Sequence, residues 1–338
     1  MLGNILRFFR GDPRHERRER PLKDAPLPKL GLALSSGGAR GLAHVGVLQV
    51  LEENGIEIHA IAGSSMGAYI GALWAAGFSG KALEELAEEM HDRRQLWKLA
   101  DPMLPPMKGL FHGLKARAHL ERSLGDLCFE DLERKVLAVS VDIDTKERIV
   151  FRKGRIADAV HASCAMPGII APVLINGHRC VDGGVIDPVP VGALHKFTDV
   201  DRVLAISVVP TFSDVDEGKC AIELSEDPPP GLLRRFGRSL NSNVNLLAKG
   251  NMIDTFRQGI RAAQIRLAHE SCKRADLCLR PEHFFAPWHD YAGFRRFIDA
   301  GRQVATEHLD EIRALLRHDF QQRHETTPFL SMVGHDVA

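Results

Sequence analysis

Apolar positions in this chain fall into short runs punctuated by glycine, proline and clustered charge. "KLGLALS" (29–35) is a continuous apolar run of strand length. "LAHVGVLQVLEEN" (42–54) has helical spacing and is ended by Gly55. "IEIHAIAG" (56–63) predicts a second strand and "MGAYIGALWAAG" (66–77) a second helix. Strand, helix, strand, helix at this spacing predicts a parallel sheet with crossover helices.

The pattern continues downstream. "KALEELAEEMHD" (81–92) is an amphipathic helix, whereas "KLADPMLPPMKGLFHGL" (98–114) is apolar but loop-like. Helical spacing returns around His161. Strands are expected at 135–143, 148–154, 178–184 and 201–210, a long helix at about 240–270, an edge strand at 275–281 and a closing helix at 294–317. No internal repeat is visible. Strands recur from residue 30 to 280 without a linker, which predicts one α/β domain over 29–317. Its flanks are a basic N-terminal segment (1–28) and a polar tail (318–338), and "DVDEGK" and "EDPPPG" mark 211–232 as a surface insertion.

Composition narrows the function classes. Of 338 residues, 44% are hydrophobic and 26% charged, the balance of a globular protein. Net charge is zero, so no global field recruits nucleic acid. The six cysteines lack CxxC spacing, which argues for reduced thiols and a cytoplasmic setting rather than a disulfide scaffold or zinc site. Residues 1–23 carry seven Lys/Arg against three Asp/Glu and lack the apolar region of a secretory signal. The plain reading of that segment is a solvated end; the sharper one is a peripheral contact with anionic lipid.

Three glycine-bearing turns carry the candidate chemistry. In "LSSGGARG" (34–41), Gly37 and Gly38 follow the first strand and leave backbone N–H groups uncovered at a helix start. Arg40 adds positive charge. Such a turn suits a nucleotide phosphate or the oxyanion of an acyl-transfer intermediate. The dinucleotide fingerprint would need glycine where Ser36 stands, and the P-loop's GK[ST] is absent.

The second turn, Gly63-Ser64-Ser65-Met66-Gly67, fits GxSxG with Ser65 central. A serine there would sit on a tight strand-to-helix turn flanked by Gly63 and Gly67, with Ser64 pointing elsewhere. A membrane reading competes, because 58–80 lacks Asp, Glu, Lys and Arg and Gly63, Gly67 and Gly71 recur every four residues. The stretch nevertheless divides into a strand-like and a helical half, which favours an elbow followed by a close-packed helix.

A serine nucleophile needs a base. None of the 16 histidines occupies a conspicuous glycine turn, and His44 and His161 fall within predicted helices. "VDGGVIDPVP" (181–190) instead places Asp182 at a strand end before Gly183 and Gly184. Strand C-terminal ends gather at one edge of a parallel sheet, so Gly37, Ser65 and Asp182 are expected to converge there.

Together these residues resemble the patatin-like phospholipases, especially compact bacterial members. "SGGARGLAHVGVL", "GSSMG", "ASCAMPGIIAPV" (162–173) and "DGGVIDPVP" are similar to four family blocks in the family's order. The resemblance covers about 29–315. It implies a three-layer α/β/α fold with a mostly parallel central sheet, and a Ser-Asp dyad. Carried over, Ser65 is the nucleophile, Asp182 the base, and Gly37 and Gly38 the oxyanion donors with Arg40 nearby. The family often has a third glycine where this chain has Ser36. The implied activity is hydrolysis of a lipid or acyl ester, without cofactor or metal. The competing classes are a non-enzymatic nucleotide-binding or regulatory protein built on the glycine turn, and a membrane scaffold built on the glycine stripe.

Overall fold

The computed structural model describes residues 26–91, 101–216 except 104, 106 and 107, 252–282, 286–318 and 320. The basic segment 1–25, most of the expected insertion, the first part of the expected long helix and nearly all of the C-terminal tail lie outside these residues.

Among the described residues eight strands form one sheet: β1 (Leu30–Leu34), β2 (Ala60–Ser64), β3 (Lys135–Asp142), β4 (Arg148–Phe151), β5 (Val173–Ile175), β6 (His178–Asp182), β7 (Arg202–Ile206) and β8 (Leu277–Leu279). Pairing follows β5-β6-β3-β2-β1-β7-β8, with β4 also on β3. The β3–β2–β1–β7–β8 pairs are parallel; those of β4, β5 and β6 are antiparallel.

Strand side chains alternate between two separate cores, as the two-residue period of a strand demands. Leu30, Leu32, Leu34, Ile61, Val136, Ala138, Leu204 and Ile206 enter one core; Ala33, Ala60, Ala62, Leu137, Val139, Val203 and Ala205 enter the other. The first core is covered by α1 (Ala43–Glu53), α2 (Met66–Ala75), α3 (Gly80–His91), α4 (Leu114–Leu124) and α5 (Ile156–Ser163), and by α9 (Phe294–Glu307) and α10 (Leu309–Ala314). The second is covered by α6 (Val191–Phe197) and α8 (Met252–Cys272). A short helix, α7 (Phe212–Asp216), precedes α8. Apolar side chains on both sheet faces require helices on both faces, so the fold is a three-layer α/β/α sandwich.

Element ends are decided by neighbours. β2 begins at Ala60 rather than 56, because its partners start there: Gly31 on β1 and Lys135 on β3. Ile56 and Ile58 are buried without laddering. β7 ends at Ile206, opposite Leu34, where β1 itself ends. The closing helix is two helices that meet at His308. The local pattern misses α4 as well. Its first amides are held by Asp101, whose carboxylate accepts from Gly113, Leu114 and Lys115 N–H at 2.8, 2.7 and 3.2 Å. A cap supplied from that far upstream leaves no local start signal.

β6 requires a correction. Asp182 does not arrive on a parallel strand. Val139 of β3 pairs with both Ser64 and Val150, and Ser140 pairs with both Asp182 and Ile149. With β4 on one edge of β3, β2 and β6 share the other. They run toward each other along it, and their C-terminal ends meet.

Candidate active site

That head-to-head meeting places Ser65 beside Asp182. Ser65 caps α2 with φ 54° and ψ −121°, a sparsely populated positive-φ conformation that costs a serine roughly 1–3 kcal/mol. The turn closes tightly because its flanks lack side chains. A Cβ on Gly63 would lie 2.4 Å from the Ala68 nitrogen, and one on Gly67 would lie 2.2 Å from the Leu34 carbonyl oxygen. Ser64 points away and donates to the Asp187 carbonyl at 2.6 Å. The Ser65 hydroxyl donates to Asp182 Oδ2 at 2.6 Å.

Asp182 is held from both ends. Its N–H donates to the Ala165 carbonyl at 2.9 Å, and its Oδ1 accepts from Gly184 N–H at 2.7 Å. One carboxylate oxygen is thereby fixed by backbone while the other faces Ser65. Burial raises the Asp182 pKa from 3.8 to about 6, against the opposing hydrogen bonds from Ser65 and Gly184.

The glycine turn sits across from this pair. Gly38 has φ +58°, and a Cβ there would lie 2.4 Å from the Trp288 carbonyl oxygen. The neighbouring amides are committed: Ser36 N–H donates to Pro188 O at 2.9 Å, and Ala39 N–H to Trp288 O at 2.7 Å. Gly37 and Gly38 N–H have no backbone carbonyl partner among the described residues. Beneath the turn, buried His44 bonds Ser35 O through Nε2 at 2.9 Å, and desolvation lowers its pKa to about 4.

Residues 32–195 match the family model described as patatin-like phospholipase. This part of the chain is similar to the patatin-like phospholipases. An uncharacterized NTE family protein of Mycobacterium tuberculosis is 37% identical over 69% of this chain and 62% of its own length. The match thus spans less than two thirds of that relative. Lysophospholipase NTE1 of Candida albicans is 28% identical over 53% of this chain and 13% of its own length. Among solved structures, VipD from Legionella pneumophila aligns with a TM-score of 0.45 at 15% identity, over 85% of this chain and 67% of that one.

Within residues 32–195, Ser65, Asp182, Gly37, Gly38 and Arg40 line an open cleft. Other walls come from Met166 and Pro167, from Val209 and Pro210 beyond β7, from Gln258, Arg261 and Gln264 of α8, and from Trp288. Gly63 and Gly67 shape the turn without lining the cleft. The apolar loop 98–114 does not line it among the described residues. Phe111 instead bonds the backbone of Ile169 and Ala171 at 2.9 and 3.0 Å, bracing the segment that follows Pro167.

Among the described residues no histidine hydrogen-bonds Ser65, whose N–H and hydroxyl donate to Ser163 and Asp182. His161 is buried at the end of α5, and His178 begins β6 with Nδ1 2.8 Å from Asp142 Oδ2. The ten-residue α2 is about 15 Å long, half a bilayer core. This removes the membrane-helix reading of 58–80. Among the described residues no helix is long and apolar enough to cross a membrane.

Several residues at the site carry no role in the sequence reading. Ser163 accepts the Ser65 N–H at 2.9 Å. The Cys164 thiol lies beside Ser65 and Asp182; desolvation and then the Asp182 charge push its pKa up, and the Ser65 hydroxyl opposes them. Gln264 Nε2 donates to Gly184 O at 2.9 Å, tying α8 to the aspartate turn. The signal for the first two was present, since "ASCAMPG" belongs to the third family-like block. Gln264 had none, being one polar residue on a long helix.

Proposed function

We propose that this chain is a serine lipid acyl hydrolase working through a Ser65–Asp182 dyad. The observation that carries the reading is the 2.6 Å bond from the Ser65 hydroxyl to a carboxylate buried at the floor of a cleft. A buried carboxylate with pKa about 6 is ionised at neutral pH yet basic enough to take a hydroxyl proton. Ser65 Oγ attacks the ester carbonyl as its proton passes to Asp182 Oδ2. The oxyanion is met by Gly37 and Gly38 N–H, with the Arg40 guanidinium nearby. Asp182 returns the proton to the departing alcohol, leaving an acyl group on Ser65. A water then gives its proton to Asp182 and attacks the acyl carbon, and the carboxylic acid leaves as Ser65 recovers its hydrogen.

The cleft walls offer apolar side chains beside two guanidiniums, a lining that suits an acyl chain joined to a polar head. The similarity to a lysophospholipase and to patatin-like phospholipases supports a lipid ester as substrate. The test is a panel of p-nitrophenyl esters, lysophospholipids and phospholipids, together with fluorophosphonate labelling. The wild type hydrolyses panel members and is labelled, and Ser65→Ala loses both. Labelling that persists in Ser65→Ala rejects the dyad. A wild type that is inert and unlabelled but binds nucleotide returns the glycine turn to the regulatory reading.

A further inference from the structure

The mechanism uses the Ser65 side chain, but something must hold its backbone. A serine at φ 54° is under strain, and without a restraint it relaxes toward ordinary dihedrals and swings Oγ off the carboxylate. Ser163 is the last residue of α5 and is fully buried. Its hydroxyl accepts the Ser65 N–H at 2.9 Å and donates its own hydrogen to the Val139 carbonyl at 2.5 Å. Val139 pairs with Ser64, the residue before the elbow. The hydroxyl therefore bridges the strained amide to the strand beside it, with its single hydrogen and an acceptor site both used.

The same turn reaches the other partner. Ala165, two residues on, accepts the Asp182 N–H at 2.9 Å. Ser140 of β3 donates to the Val181 carbonyl at 2.6 Å, fixing the residue before Asp182 to the same strand. The turn 163–165 thus touches the backbone of both Ser65 and Asp182. It also commits the Ser65 amide, which leaves the Gly37–Gly38 turn to meet an oxyanion.

We propose that Ser163 is a positioning residue that clamps the strained Ser65 backbone and so sets the Ser65 Oγ–Asp182 alignment, an inference that rests on Ser65 acting as nucleophile. Its hydroxyl touches no substrate; it acts through the amide of Ser65.

The test compares Ser163→Ala, Ser163→Cys and Ser163→Thr in the full chain. Ser163→Thr keeps the hydroxyl, and Ser163→Cys keeps the size while replacing it with a thiol. Cys and Ala are expected to lower kcat on the best panel ester by about tenfold to a hundredfold with KM within about twofold, the effect of a misplaced reacting group. Thr is expected to restore kcat to within about threefold and to keep the pH midpoint of kcat/KM, whereas in Cys and Ala the midpoint moves up as Asp182 loses the Ser65 hydrogen bond that lowers its pKa. Hydrogen exchange of the peptide spanning 60–69 reads the clamp without any substrate: it accelerates in the Cys variant and not in Thr. Should the Ala variant fail to fold, the Cys and Thr pair carries the comparison. Equal kcat and equal exchange in Cys and Thr overturn the clamp. An inert wild type whose Cys variant still exchanges faster leaves the clamp as a structural fact and overturns its catalytic role together with the dyad.

Discussion

Asp182 sets the pH behaviour expected of the site. As the proposed base it must be ionised, so kcat/KM is expected to rise with pH and reach half its plateau near pH 6, checked by a pH–rate profile on a neutral ester. Asp182→Asn removes that limb along with most activity. Stability runs the opposite way. Folding raises this carboxyl from 3.8 to about 6, so the folded state holds the proton more tightly than the unfolded one. The contribution is fully present below about pH 4 and is lost as pH rises through 6. Asp182→Asn is therefore expected to be more stable than wild type at pH 8, by a margin on the order of 2–3 kcal/mol that closes toward pH 4. Paired thermal melts at the two pH values check the sign. Gly38→Ala places a methyl against the Trp288 carbonyl on left-handed backbone. It is expected to cost about a hundredfold in kcat by displacing the proposed oxyanion donors, with the Ser65–Asp182 pair intact.

Between elements, close approach and buried charge decide what the fold tolerates. α1 and α9 nearly touch: a Cβ on Gly46 would lie 1.9 Å from the Ile298 carbonyl oxygen, and one on Gly301 would lie 1.9 Å from the Ala43 carbonyl oxygen. Gly46→Ala must push the helices apart, and the expected loss is about 1–3 kcal/mol, read as a lower denaturation midpoint in urea. Asp187, just past the aspartate turn, bonds Arg148 Nη1 at 2.6 Å while its carbonyl accepts from Ser64. Burial nevertheless raises the Asp187 pKa, with the opposing pull of Arg148 second. Arg148→Ala leaves this carboxylate buried without its main partner. A loss of about 3–5 kcal/mol is expected, together with reduced fluorophosphonate labelling because the elbow shares that anchor.

At the scale of the molecule, the cleft is closed by groups from both sides of the sandwich. The elbow opens α2 in one helical layer, while Gln264 reaches from α8 in the other to the Gly184 carbonyl. Gln264→Ala is expected to raise KM more than it lowers kcat, because it loosens a wall and leaves the reacting groups in place. Faster hydrogen exchange across 252–272 would accompany the change.

The family-like blocks, the alternation of strands and helices, and the three glycine turns were all legible in the sequence by itself. Each rests on local chemistry: apolar period, residues without a Cβ, a serine between glycines. Ser65 and Asp182 could be picked out in this way, but not the manner of their meeting. The strand–helix pattern implies parallel strand ends, whereas β6 runs antiparallel and meets β2 head to head along one edge of β3. Pairing register is a property of three strands at once, and no one of them encodes it. The start of α4 at the distant Asp101 carboxylate, the Ser163 clamp and the Gln264 tether have the same character. Each is a hydrogen bond between residues far apart in sequence, and only folding brings donor and acceptor within 3 Å of each other.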